Sequence, residues 1–71
     1  MNEKSFAFVM YLIHELANAR NMAPGQIYKI LKQYGCIDNY LVPNYDVLHT
    51  LGTEYLMEDI YKYVSVRGGE L

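Results

Sequence analysis

The segment NYDVLHTLG, residues 44–52, holds the residues of this chain best suited to chemistry. Asp46 and His49 are spaced so that a helical backbone puts both on one face. A carboxylate beside an imidazole is the pairing from which a general base is made. Catalysis asks for more, namely a nucleophile or a substrate pocket next to His49. The hydroxyls of Ser5, Thr50, Thr53 and Ser65 have no activating neighbour in the sequence. Cys36 is the only thiol, and it follows a predicted helix end, whose negative dipole disfavours a thiolate. A plainer reading accounts for the same residues. Asp46 and the last helical carbonyls stabilise His49, Gly52 ends the helix with a positive φ, and Thr53 caps the next helix. Tyr45, Asp46, Leu48, His49, Thr50 and Gly52 then form a structural corner between two helices. This reading is preferred, and a small ligand or catalytic site on Asp46 and His49 is the alternative.

The chain has few other ways to build a site. His14 lies between Ile13 and Leu16, at the edge of an apolar stripe, and reads as a boundary residue. No spacing of His and Cys suits a structural metal, and one cysteine allows no internal disulfide. No metal and no cofactor is expected. A free cysteine without a disulfide framework points to the reducing cytoplasm. The formal net charge of −2 and the scattered basic residues argue against a nucleic-acid partner. Residues 27–47 do have helix–Gly turn–helix order. The reader helix, however, would present Asn39, Asn44 and Asp46 and no base, so a helix-turn-helix DNA binder is the weakest alternative.

These residues must be positioned by a domain of only 71 residues, one folding unit. Such a chain buries about 60% of its unfolded surface, and many small domains lean on a crosslink, a metal or another chain. With 52% of residues hydrophobic and eight tyrosines, association is the support this composition favours. The run FAFVMYLI, residues 6–13, has the look of a leader, but Glu3 offsets Lys4 and His14 and Glu15 break the run. It is far shorter than the ~20 residues of a membrane span, so no membrane partner is expected.

Helical periodicity runs through the chain, and no strand alternation persists. The expected fold is all-α, a small bundle of four helices at about 4–19, 24–34, 38–51 and 54–66. Pro43 interrupts the third, because it lacks a donor and clashes with the carbonyl of Asn39. Pro24 opens the second and Gly35 closes it as a left-handed C-cap. Residues 1–66 form the domain and 67–71 a flexible tail. The first helix is apolar almost all round in its amino-terminal half, which leaves Phe8, Tyr11 and Leu12 to meet another molecule. Tyr34, Tyr45 and Tyr63 fall on core stripes, whereas Tyr40, Tyr55 and Tyr61 fall off them and extend the expected partner surface. Asp59 stands beside a core position, from which it can reach a neighbouring element. The partner is a protein or a second copy of the chain, and no enzyme activity is expected.

The run Tyr45-Asp46-Val47-Leu48-His49-Thr50, with Gly52 and the later Glu58-Asp59-Ile60, resembles a family of short bacterial proteins known only as a domain of unknown function. NMAPGQIYKILKQYG, residues 21–35, resembles that family's second helix. The similarity covers roughly Phe6 to Tyr63, and the Tyr-Asp-x-Leu-His-Thr-x-Gly pattern is its most specific part. Pro43 departs from the family's pattern. The resemblance implies an all-helical fold with no assigned enzyme activity. It also implies genes placed beside ADP-ribosyltransferase-like proteins, and hence a partner or antitoxin-like role.

Overall fold

Asn2 starts the first helix by accepting a hydrogen bond from the Ser5 backbone N–H at 2.8 Å, so α1 (Glu3–Arg20) begins one residue earlier than its apolar pattern suggests. The computed structural model describes all 71 residues. Helix α1 ends at Asn21, whose φ of 53° is left-handed. The Met22 N–H then reaches the Ala17 carbonyl at 3.0 Å, which satisfies a terminal acceptor. Helix α2 (Pro24–Gln33) has only half a capping box. Gln26 Oε1 accepts from the Ala23 N–H at 3.0 Å, but the methyl of Ala23 cannot return the bond. Gly35, at φ 76°, turns the chain out of α2 as expected.

The third helix is where expectation and structure part. Residues Ile37–Leu41 form a wide π-turn, closed by the Val42 N–H on the Ile37 carbonyl at 3.0 Å. Pro43 comes next, and a regular helix cannot pass through it. The backbone N–H and side-chain amide of Asn44 both turn back to the Tyr40 carbonyl, at 3.3 and 2.8 Å. Beyond Asn44 the chain makes a single helical turn, α3 (Tyr45–Leu48), rather than a helix running on to residue 51. Asp38, in the first turn of this segment, bridges to Lys32 at 2.9 Å. Both groups are about half exposed, so the pair adds little stability. The last helix is α4 (Thr53–Val66). The chain is thus all-helical, in five segments where four were expected.

Fourteen buried hydrophobic residues make one core, and α1 supplies Val9, Leu12, Ile13, Leu16 and Ala17 to it. Ile27 and Leu31 come from α2, Ile37 and Leu41 from the π-turn, Leu48 from α3, and Leu56, Ile60 and Val64 from α4. Helices α1 and α4 run in the same direction. The Tyr11 hydroxyl meets that of Thr53 at 2.8 Å, and further along both helices the Arg20 guanidinium lies 4.0 Å from the centre of the Tyr61 ring. No helix is long and apolar enough to cross a membrane.

The tail expected to fray is instead a cap. The Gly69 N–H reaches the Val64 carbonyl at 3.0 Å and the Gly68 N–H the Ser65 carbonyl at 3.0 Å. With Gly68 at φ 90° this is a Schellman motif. Gly69 then presses on the Tyr34 ring, and Leu71 packs against the core. A Cβ at residue 69 would stand 2.5 Å from a Tyr34 ring carbon, whereas one at Gly25 meets nothing within 4 Å. Gly69→Ala is therefore expected to cost about 1–3 kcal/mol, and Gly25→Ala to add about 0.5 kcal/mol. Urea midpoints moving in opposite directions would show both.

Candidate functional site

The corner of residues 45–53 is built from local bonds, though not all of those expected. His49 Nδ1–H donates to the Tyr45 carbonyl at 2.8 Å, and Thr50 Oγ1 donates to the Val47 carbonyl at 2.7 Å. The imidazole stacks on the Tyr45 ring, with centroids 4.5 Å apart and planes 12° apart. Tyr45 in turn meets Phe8 edge-on at 5.4 Å. Asp46 makes no ion pair with His49, although spacing puts them on one face. Its carboxylate is exposed. Gly52 has φ −68° and caps α4 without a left-handed backbone, so the expected positive φ is absent. Thr53 does not cap either. Its hydroxyl is engaged by Tyr11 across the seam between α1 and α4. None of the three surface depressions, the largest about 530 Å³ and lined by Met22, Tyr61, Ser65, Gly69, Glu70 and Leu71, borders Asp46 or His49.

The residues assigned to a partner surface are dispersed over the molecule. Leu12 is 0% exposed and belongs to the core. It lies three residues after Val9 and four before Leu16, on the inner stripe of α1, so it is no part of the surface. Tyr11 is 50% exposed, and Phe8 is half-buried on the same flank of α1. Phe8 joins Tyr45 and His49 in an aromatic run from α1 to α3, and Tyr11, one turn on from Phe8, meets Thr53 at the start of α4. Tyr55, at 61% exposure, looks outward from the first turn of α4. Tyr61 is half-buried beneath Arg20. Tyr40 lies on another flank of α4, where its hydroxyl donates to the Asp59 carboxylate. The six positions therefore do not form one patch.

The Tyr40 side holds a cluster that the sequence reading only half anticipated. Asp59 does reach a neighbouring element, through Tyr40. The Tyr40 ring stacks on Tyr63 at 5.4 Å, and the Arg67 guanidinium covers Tyr63 at 3.4 Å. Tyr63 and Arg67 are four apart on α4, which is the one signal that pointed to their contact. Cys36 is fully buried in the core. Burial pushes its thiol up to about 12, which leaves it protonated and unreactive near neutrality. Burial first, then the bond to Asp59, raises Tyr40 as well. No three His, Cys, Asp or Glu side chains converge as metal ligands would.

A family model described as "Protein of unknown function (DUF3791)" matches residues 7–67. The chain belongs to the DUF3791 family. No curated protein and no solved structure matches it. The DUF3791 span begins inside α1, takes in the four later helical segments whole and stops at Arg67, the C-cap of α4. The glycine cap on Tyr34 thus lies just beyond it.

Both raised groups make the DUF3791 fold sensitive to alkali. A group whose pKa is higher folded than unfolded favours the native state below its unfolded value, and that advantage disappears as pH climbs through the folded value. Starting from ordinary values of 9.0 for Cys36 and 10.0 for Tyr40, stability is expected to be level below pH 9 and to fall above it. Urea titrations across this range check the window, and Cys36→Ala together with Tyr40→Phe should flatten the fall.

Proposed function

We propose that this DUF3791 chain is a cytoplasmic interaction module that acts by binding a partner protein or a second copy of itself, and not by catalysis. The observation that supports this reading is the aromatic run of Phe8, Tyr45 and His49 from α1 to α3, with the half-exposed Tyr11 one turn along α1 from Phe8. Rigid aromatic side chains that are neither enclosed nor fully solvated are the usual anchors of protein interfaces. The small core and the absence of a disulfide favour the same conclusion, since association would add burial that the isolated chain lacks.

The resemblance of residues 45–52 and 58–60 supplies the partner class. We take the chain as bacterial and as an antitoxin-like companion of an ADP-ribosyltransferase-like protein. A reaction on Asp46 and His49 is disfavoured by the geometry: His49 spends its Nδ1–H on a backbone carbonyl, and Asp46 stands apart from it. A DNA-reading role for α3 is disfavoured by its exposed residues, Asp46 and Val47, which offer phosphates no cation.

Sedimentation velocity of the purified chain, with co-purification and mass spectrometry from the native host, tests the reading. A complex or dimer is expected, and Tyr11→Ser should weaken it by at least about tenfold, the effect of losing one interface anchor. A chain that is monomeric at every concentration and retains no companion would refute the role.

A further inference from the structure

We propose that residues 43–52 form a lid over Phe8, which opens as one unit while α1, α2 and α4 stay folded. The inference goes beyond the binding role above and does not depend on it, since the movement belongs to the free chain. Few side chains hold this segment to the rest of the molecule. Of the fourteen core residues only Leu48 lies in it. Tyr45 is half-buried, and its ring meets the edge of Phe8 at 5.4 Å. Every other residue of the segment is exposed.

Hydrogen bonds do not tie residues 43–51 to another helix either. The Asn44 side chain turns back to the Tyr40 carbonyl, His49 Nδ1–H to that of Tyr45, Thr50 Oγ1 to that of Val47 and the Leu51 N–H to that of Leu48. These bonds close within residues 40–51, so they sit at the hinge or travel with the segment. Opening gives up the burial of Leu48 and one aromatic contact, whereas unfolding gives up the whole core. A segment with so few buried contacts opens at a lower free energy than the domain unfolds.

Both ends of the lid are fixed. Before it, Leu41 is fully buried, and Tyr40 donates to the Asp59 carboxylate and stacks on Tyr63. After it, the Thr53 hydroxyl meets that of Tyr11 at 2.8 Å. Pro43 has no N–H with which to bind the lid to the π-turn. Gly52 has open space where a Cβ would stand, so its backbone can turn. The other helices keep their mutual ties without the lid, through Tyr11 with Thr53, Arg20 on Tyr61 and Gly69 on Tyr34. Closed, the lid sets Tyr45 against Phe8 and His49 against Tyr45. Open, it frees the Phe8 ring for an apolar side chain of another molecule.

Native-state hydrogen exchange of the ¹⁵N-labelled full chain in low urea tests the lid. The amides of Leu48, His49 and Leu51 are expected to share one protection factor, at least about tenfold below those of Leu12, Leu16 and Ile60, and nearly independent of urea. Val64→Ala, at the far end of α4, weakens the helices and not the lid. It should speed the core amides at least about fivefold and leave the lid amides unchanged. Unequal protection within the lid, or lid amides that follow urea and Val64→Ala in step with the core, would overturn the proposal. If Val64→Ala does not fold, the urea dependence of the parent chain decides alone. Leu48→Ala, in a chain carrying fluorinated phenylalanine, should move the ¹⁹F signal of Phe8, leave that of Phe6 in place and keep a cooperative melt. An unmoved Phe8 signal, or loss of the melt, would count against a lid over that ring.

Discussion

The structure depends on the burial of one stripe of α1. Val9, Leu12, Ile13, Leu16 and Ala17 form the inner side of this helix, and each other segment contributes its buried residues to the cluster around them. Apolar burial is the main favourable term available to so short a chain, with no disulfide to restrict the unfolded state. The remaining elements are short, and α3 is a single turn that could not persist alone. Their positions depend on where they can add to the α1 stripe.

That constraint divides α1 into two working surfaces. The inner stripe is committed to the fold. The flank carrying Phe8, Tyr11 and Glu15 is only partly covered, by Tyr45 and Thr53. Polar contacts around it are local or involve hydroxyls at the surface, as with His49 on the Tyr45 carbonyl. Such contacts set the angle of the corner and contribute modestly to stability. The flank can therefore meet another molecule without disturbing the core.

Much of this is readable from residue order. Periodicity places α1, α2 and α4 within a residue or so of their observed ends, because apolar stripes and caps are local signals. The break at Pro43 comes from its missing donor, although nothing local tells that α3 shrinks to one turn. Leu12 is misplaced by the sequence pattern for a physical reason. In residues 6–13 nearly every side chain is apolar, so composition cannot say which face turns inward, and only the spacing from Val9 to Leu16 decides it. The left-handed role expected of Gly52 is one that its extended backbone does not need. The reverse error concerns RGGEL, whose composition suggests a loose end, where Gly68 holds the positive φ and Gly69 fits against Tyr34. Contacts such as Tyr11 with Thr53 and Arg20 with Tyr61 depend on the parallel packing of distant helices, which no local pattern encodes.

The central claim is that the inner stripe of α1 holds the domain together while its outer flank contributes little to the fold. Urea unfolding of Leu12→Ala beside Tyr11→Ser tests this division most directly. Leu12 is fully enclosed, so its truncation should cost about 3–5 kcal/mol, while Tyr11→Ser should change stability by less than about 1 kcal/mol. Equal losses in the two variants, or a Leu12→Ala protein as stable as the parent, would contradict the account.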